Sequence, residues 1–229
     1  MNGRGLVSPA DRFRAGRGER FRAQHGIGPL AIHASYLVNL AGPDEEFHER
    51  SVAVLTHELR TAQAYGAAFI NVSVGGWDLH DTMFDTGRGG NFYVLMADLD
   101  RALYNFVIDL KASGDFDSTL IVLLGEFGRT PGNLNSGAGR DHFLQQAVLM
   151  AGGGIQGGRV LGSTDRTGNA TLDSGWSRKR DIRAEDVEAT IYSALGIDYG
   201  KELADPSGRG FQYVPFSDRD QYGPIHELW

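Results

Sequence analysis

Residues 119–124 are Thr-Leu-Ile-Val-Leu-Leu, and the motif Gly125-Glu126-Phe127-Gly128-Arg129 follows them directly. The apolar run has no polar interruption, which is typical of a central strand covered on both faces. Similar runs predict further strands at residues 30–33, 68–74 and 146–151, with a short edge strand at 159–161. Between these runs, apolar residues at helical spacing predict helices over residues 43–65, 92–111 and 184–195.

This alternation of strands and helices favours an α/β fold, with a largely parallel sheet flanked by helices. The glycine-containing stretch 164–180 is expected to form a loop. The tail that follows the helix at 184–195 shows no clear hydrophobic period. In open α/β sheets, ligands bind beyond the carboxyl ends of the strands, where several loops converge. Polar segments in those positions are therefore the candidates for chemistry.

The composition excludes several classes of protein. The chain has 229 residues and a formal net charge of -7, which argues against a general nucleic-acid coat. It contains no cysteine, so disulfides, thiolate metal sites and a cysteine nucleophile are excluded. No apolar run approaches the ~20 residues that span a bilayer, and the basic residues of the first segment are not followed by the apolar stretch that a signal peptide needs. As written, the chain is expected to stay in the cytoplasm, away from membranes.

The first polar segment is Gly75-Gly76-Trp77-Asp78-Leu79-His80-Asp81. Residues two apart in extended backbone point to the same side, so Asp78 and His80 can both face one cation. The alternative is a polar turn in which the aspartate caps the chain.

The second segment contains Glu126 and Arg129 and follows the apolar run 119–124. A carboxylate and a guanidinium at the end of a buried strand need a reason, because desolvated charge is costly unless it is paired or bound to a metal. Glu126 is a candidate metal ligand, and Arg129 can hold a phosphate or sulfate oxygen through two parallel hydrogen bonds. The alternative is an ion pair between the two residues that only shapes the loop.

The third segment, Gly139-Arg140-Asp141-His142-Phe143, precedes the strand predicted at 146–151. Asp141 and His142 can both become ligands if the backbone turns between them. Carboxylate and imidazole ligands without sulfur suit a divalent ion such as Zn, Mn or Mg. Such an ion can polarise a phosphoryl or sulfuryl oxygen and acidify a water.

Taken in order, the motifs GGWDLHD, LIVLLGEFGRTP, GRDHF and AGGGIQGGRVLGSTD resemble domain-of-unknown-function family 1501 over roughly residues 72–197. That family is related to the alkaline-phosphatase and sulfatase superfamily. The resemblance implies an incomplete alkaline-phosphatase-like fold that hydrolyses small anionic sulfate or phosphate esters. It implies a catalytic, anion-binding role for Arg129 and metal ligation by Asp78, His80, Glu126, Asp141 and His142. Leu79 and Phe143 depart from the family's usual Thr and Trp.

The beginning of the chain is similar to a different family. Residues 10–71, including IHASYLVNLA and AYGAAFIN, resemble endonuclease IV, a zinc-dependent apurinic-site nuclease with a TIM-barrel fold. His33 matches one of its metal ligands, but Ser73 stands where the next ligand histidine is expected. The sequence therefore resembles a splice near residues 70–75. It predicts a TIM-barrel-derived βα fragment over 1–71 and an alkaline-phosphatase-like region over 72–229.

Three functions follow from these resemblances. The first is a metal-dependent ester hydrolase whose turnover is absent or relies on metal-bound water, because the superfamily's nucleophile-bearing half is not found in the sequence. The second is an apurinic-site endonuclease fragment that depends on His33. The third is a non-catalytic remnant that binds an anion or a metal.

Overall fold

The computed structural model describes residues 20, 22–24, 31–33, 45–67, 69–204 and 206–229. It has a mixed α/β fold in which the described strands form small, two-stranded sheets. The chain divides into two compact units. The first comprises residues 1–78 and 85–104, and the second comprises residues 79–84 and 105–229.

The first unit contains a strand–helix–strand element. Strands β1 (Ala31–His33) and β2 (Phe69–Asn71) pair in parallel, in the register Ala31 to Phe69. Helix α1 (Glu45–Tyr65) connects them, as a parallel pair requires. The helix ends at Gly66, which has φ +64°, a conformation that glycine adopts without strain. The sequence predicted both strands, the helix and its stop, although residues 30, 43, 44 and 68 lie outside the described residues. The second strand ends at Asn71, short of the predicted residue 74.

Helix α2 (Phe92–Ser113) confirms the second predicted helix almost to the residue. Asn91 begins it, because its Oδ1 accepts hydrogen bonds from the backbone N–H groups of Tyr93 at 3.0 Å and Val94 at 3.2 Å. The helix ends before Gly114, which has φ +82°. The predicted apolar stripe is the more buried face and is half-buried at Phe92, Leu95, Leu99, Leu103, Phe106 and Leu110.

In its described residues, the second unit contains four antiparallel strand pairs and helix α3 (Ala184–Ala194). Strands β3 (Ile121–Leu123) and β6 (Leu149–Ala151) pair with each other, as do β4 (Gly128–Arg129) and β5 (His142–Phe143). Strands β7 (Ser163–Thr164) and β8 (Thr171–Asp173) form the third pair, and β9 (Glu202–Ala204) and β10 (Gly210–Gln212) form the fourth. Single-turn 3₁₀ helices cover Phe116–Ser118, Ser217–Arg219 and His226–Leu228.

The largely parallel sheet expected from the sequence is not shown by these strands. Among the described residues only β1 and β2 pair in parallel, whereas β3 pairs with β6 in antiparallel fashion. No helix lies between β3 and β6 to carry the chain back for a parallel return. Residues 121–123 are half-buried and Leu124 is 51% exposed, so the expectation of a strand covered on both faces is wrong here.

Two local predictions also need correction. The edge strand expected at 159–161 is absent, and Val160 is 91% exposed. Instead β7 and β8 form a hairpin that begins at Ser163 and occupies the first part of the stretch predicted as a loop. The side chain of Asp165 forms its turn, because Oδ1 accepts hydrogen bonds from the backbone of Thr167 at 3.0 Å and Asn169 at 2.9 Å.

The side chain of Asp186 on α3 is fully buried. Both of its oxygens accept hydrogen bonds from Arg180, at 2.7 and 2.8 Å, and the backbone N–H of Gly223 donates at 3.1 Å. Burial raises the pKa of Asp186, but the Arg180 guanidinium and the backbone donors outweigh burial and hold this pKa below its usual value. The pair therefore ties the C-terminal segment to α3.

No helix in the described part of the chain combines the length and apolar character that a bilayer crossing requires.

Candidate metal centre

The second and third polar segments each contain one strand of a neighbouring pair. Arg129 on β4 and His142 on β5 are register partners in an antiparallel pair. Gly128 lets these strands approach, because a Cβ atom at this position would overlap the main chain of Gln145. The second and third motifs of the sequence thus meet through backbone pairing.

The first motif joins them through the loop that connects β4 to β5. Asp81 forms a β-bridge with Ala138, and the N–H of Arg140 donates to the carbonyl of Leu79 at 3.0 Å. Leu79 is only 3% exposed and so anchors this stretch in the second unit. The close contact requires glycine at position 139, where a Cβ would overlap the main chain of His80. The segment containing His80 is therefore held against the Asp141 loop.

His80 is the central side chain of the site. Its Nδ1 lies 3.0 Å from Asp141 Oδ1, and its Nε2 lies 3.1 Å from His142 Nε2. Arg129 Nη1 lies 3.3 Å from the same Nε2. Three residues from two strands and a loop thus surround one imidazole.

Asp78 precedes His80 by two positions, as the first motif requires. One ligand atom from each of Asp78, His80 and His142 can be chosen so that all three lie within 4.8 Å of one another, and all three residues are exposed. Two imidazoles and a carboxylate at this spacing can hold a divalent metal ion.

The hydrogen bonds assign a tautomer to His80. A carboxylate only accepts hydrogen bonds, so Nδ1 carries the proton that it donates to Asp141, and Nε2 of the neutral ring keeps its lone pair. The hydrogen bond from His80 lowers the pKa of Asp141, and a second one from Asn135 lowers it further. Asp141 is therefore ionised at neutral pH and orients the imidazole as an outer-shell partner of a metal ligand does.

The distance between the two imidazoles fits a shared ion. With Zn–N bonds of about 2.0–2.1 Å, two tetrahedral ligands place their nitrogens roughly 3.3 Å apart. The observed separation of the Nε2 atoms of His80 and His142 is 3.1 Å. Once the proton between them is released, both nitrogens can bind one ion with little movement.

Arg129 and Phe127 form one side of the site. Arg129 Nη1 also donates to the carbonyl of Arg140 at 3.1 Å, and its guanidinium lies 5.7 Å from the ring of Phe127. The centroids of the Phe127 and His142 rings lie 4.0 Å apart, with the ring planes tilted by 37°. Arg129 is thus half-buried with its positive charge beside the two imidazoles, where an anion can bind.

The structure separates the remaining candidates. Asp141 contacts His80 and is not part of the three-residue group. Glu126 is exposed and also lies outside the group that the described residues form. The side chain of His33 lies outside the described residues. Ser73 is exposed and follows β2.

Asn135 is a site residue that the sequence reasoning missed. Its Nδ2 donates to Asp141 Oδ1 and to the carbonyl of His80, each at 3.0 Å. Its position before Gly137 and Gly139 was a turn signal that could have identified it. The Asp186–Arg180 pair was also missed, although an acid in the first turn of a predicted helix indicates a capping role.

A separate open cleft of about 670 Å³ lies in the second unit, and none of the metal-ligand candidates lines it. Its walls include Trp176, Lys179, Arg180 and Glu227.

A family model described as "Protein of unknown function (DUF1501)" matches residues 39–221. The sequence predicted this match over residues 72–197. Because the observed match begins earlier, it includes part of the segment that resembles endonuclease IV. A joint near residues 70–75 is therefore not confirmed.

Short stretches of the chain are similar to proteins described as probable endonuclease 4. The protein from Haloarcula marismortui is 42% identical over 60 residues, which is 25% of this chain and 22% of that protein. The one from Halorhodospira halophila is 44% identical over 66 residues, or 29% of this chain and 20% of that protein. The protein from Aquifex aeolicus is 45% identical over 47 residues, which is 20% of this chain and 17% of that protein. The chain thus spans about a fifth of the length of these relatives, and no solved structure matches it significantly.

Proposed function

Because this chain belongs to the family described as protein of unknown function (DUF1501), we propose that it is a metal-dependent hydrolase of the sulfatase and alkaline-phosphatase type. It would act on small sulfate or phosphate esters. The observation that carries the proposal is the pair of Nε2 atoms of His80 and His142, 3.1 Å apart, with an ionised Asp141 behind one of them. Asp78 supplies a nearby carboxylate.

Each residue has a role in this proposal. His80, His142 and Asp78 hold the ion, and Asp141 orients His80 rather than binding the metal directly. Glu126 stays a predicted further ligand. Two imidazoles favour zinc or another transition metal over magnesium, which prefers oxygen ligands. A bound divalent ion would supply Lewis acidity toward an ester oxygen.

Arg129 accounts for the anionic substrate. Its guanidinium lies beside the imidazoles, within 3.3 Å of His80 Nε2, and Phe127 packs against it. A planar guanidinium can form two parallel hydrogen bonds to a phosphate or sulfate group. Arg129 would therefore bind and orient the ester beside the ion, so that its loss weakens substrate binding more than metal binding.

The experiment combines metal binding with turnover. Metal-free protein is titrated with Zn²⁺, Mn²⁺ and Mg²⁺ by calorimetry, and the hydrolysis of 4-nitrophenyl phosphate and sulfate is measured at each saturating metal. We expect the His80→Ala, His142→Ala double variant to lose both metal binding and hydrolysis. The exposed control His226→Ala should keep both. If the double variant binds metal as tightly as the parent, the ligand assignment is wrong. Metal binding without hydrolysis supports the non-catalytic, metal-binding remnant instead.

The short matches to probable endonuclease 4 favour a second candidate, cleavage of DNA at apurinic sites. This cleavage would depend on His33. It would come from an endonuclease IV-like segment joined to the rest of the chain near residues 70–75. A gel assay on a duplex with one apurinic site tests it, with His33→Ala as the control variant. Cleavage by the parent that this variant loses would support the nuclease over the esterase.

A further inference from the structure

One side-chain amide contacts both His80 and its carboxylate partner. Asn135 Nδ2 donates to Asp141 Oδ1 at 3.0 Å and to the backbone carbonyl of His80 at 3.0 Å. We propose that Asn135 is a positioning residue that aligns Asp141 with His80 and so sets which ring nitrogen of His80 faces the metal. This inference rests on the proposed function, and no ligand role for Asn135 is implied.

Asp141 needs such support because it lies at the surface. The side chains of His80 and Asp141 are 42% and 57% exposed. An exposed pair of this kind contributes little by itself, because water and side-chain entropy compete with its hydrogen bond. The amide of Asn135 donates to the same Oδ1 atom that accepts from His80. Asn135 therefore restricts the carboxylate to the rotamer that faces the imidazole.

The second hydrogen bond of the amide fixes the other partner. Because Nδ2 also donates to the carbonyl of His80, the amide holds the backbone of the histidine while it holds the carboxylate. Without it, the ring can exchange between tautomers, and the one protonated at Nε2 cannot bind a metal through that atom.

The other atom of the same amide has a different task. Oδ1 of Asn135 accepts hydrogen bonds from the backbone N–H groups of Gly137 at 3.0 Å and Gly139 at 2.9 Å, which closes the loop between β4 and β5. The backbone of Asn135 adds bonds to Gly139 and Ala138, both at 3.0 Å. The loop between β4 and β5 is thus held by Oδ1 and the main chain of Asn135, whereas Asp141 and His80 are held by its Nδ2.

This division allows one substitution to separate the two roles. Asn135→Asp keeps an acceptor for the loop, removes the donor, and places a second carboxylate oxygen beside Asp141. Asn133→Asp adds the same charge to the same loop at an exposed position two residues away. Asn135→Ala removes both the acceptor for the loop and the donor to the site. Its melting temperature therefore reports how much the loop hydrogen bonds stabilise the fold.

The first measurement is Zn²⁺ affinity by calorimetry. Because loss of an outer-shell partner weakens metal binding about 10–100-fold, and Asn135→Asp acts by displacing the outer-shell partner Asp141, we expect a loss of up to that size for Asn135→Asp. Asn133→Asp should bind within about twofold of the parent, as surface substitutions do. The melting temperature of Asn135→Asp should stay closer to that of the parent than that of Asn135→Ala. Unchanged or tighter zinc binding in Asn135→Asp overturns the inference.

The second measurement needs no metal. Long-range ¹H–¹⁵N correlation spectra of metal-free protein are recorded at about pH 8.5, roughly two units above the ordinary imidazole pKa. The His80 signals are assigned by their absence in His80→Ala. We expect the parent and Asn133→Asp to show His80 protonated at Nδ1, and Asn135→Asp to show a mixture with Nε2. The same single tautomer in Asn135→Asp contradicts the inference.

The two measurements keep the two proposals apart. If the parent binds no metal but Asn135→Asp changes the His80 tautomer, the proposed function fails and the positioning role stands. If the parent binds zinc and Asn135→Asp matches it in affinity and tautomer, the positioning role fails and the metal site stands.

Discussion

The Nε2 atoms of His80 and His142 lie 3.1 Å apart, although 62 positions separate the two residues in the chain. Antiparallel pairing of β4 with β5 and the bridge between Asp81 and Ala138 bring them together. Two imidazole nitrogens at this distance either share a proton or share a metal ion. The predictions that follow test the metal ion and the structure that supports it.

Metal binding should stabilise the folded chain. At a free Zn²⁺ concentration 100 times the dissociation constant, the free energy of unfolding should rise by about 2.7 kcal/mol, because the ion binds only the native site. His142→Ala should lose most of this gain, whereas His226→Ala should keep it. Urea unfolding with and without Zn²⁺ measures the difference. An equal gain in His142→Ala would show that zinc binds elsewhere.

Gly139→Ala should disrupt the site. The added Cβ would overlap the main chain of His80 and Asp81, so the loop must move away from the first motif. We expect a lower melting temperature and weaker Zn²⁺ binding, measured by thermal unfolding and calorimetry. Gly157→Ala is the matched control, because no atom lies within 4 Å of its added Cβ. Equal behaviour of the two variants would contradict the close approach.

Asp186→Asn should destabilise the second unit strongly. The Asp186 carboxylate is buried, and Arg180 donates to both of its oxygens. Removing one partner of a buried pair leaves the other uncompensated and costs about 3–5 kcal/mol. The exposed control Asp181→Asn should change the free energy of unfolding by no more than about 0.5 kcal/mol. Urea unfolding at neutral pH measures both variants.

The same carboxyl group should make stability sensitive to acid. The pKa of Asp186 is lowered in the folded state, with burial opposing and Arg180 favouring the charged form. A lowered pKa stabilises the fold at pH values above the unfolded pKa of about 3.9, and this contribution is lost as the pH falls through the folded value. Unfolding free energies measured below about pH 4 should therefore fall more steeply in the parent than in Asp186→Asn. Parallel curves would argue against the pair.

Glu188 should have the opposite effect. Burial raises the pKa of Glu188, and the nearby Glu185 raises it further, while a hydrogen bond with Tyr192 lowers it. A raised pKa means that the charged form is disfavoured in the fold, so stability is lost as the pH rises through the folded value. Glu188→Gln should therefore raise the urea midpoint at pH 7 and leave it unchanged at about pH 3.5, below the ordinary glutamate pKa. A lower midpoint at pH 7 would show that the carboxylate is stabilising.

The amino-acid sequence by itself determined the helices and the order of the polar motifs. Helix α2 covers Phe92–Ser113 against a prediction of 92–111, and α3 covers Ala184–Ala194 against 184–195. These predictions are accurate because helical periodicity and the glycine stop at Gly114 or Gly196 are local properties of the chain. The residue types at Asp78, His80 and His142 likewise indicated a metal without any knowledge of the fold.

Only the tertiary structure decided which strands pair and which polar side chains meet. The apolar run at 121–123 is compatible with a parallel or an antiparallel partner, and the path of the chain to β6 selected the antiparallel one. In the same way, Asp141 and Glu126 offer the same carboxylate chemistry, but only Asp141 contacts His80. The physical reason is that pairing and side-chain contacts depend on residues far apart in the chain, which local propensities do not encode.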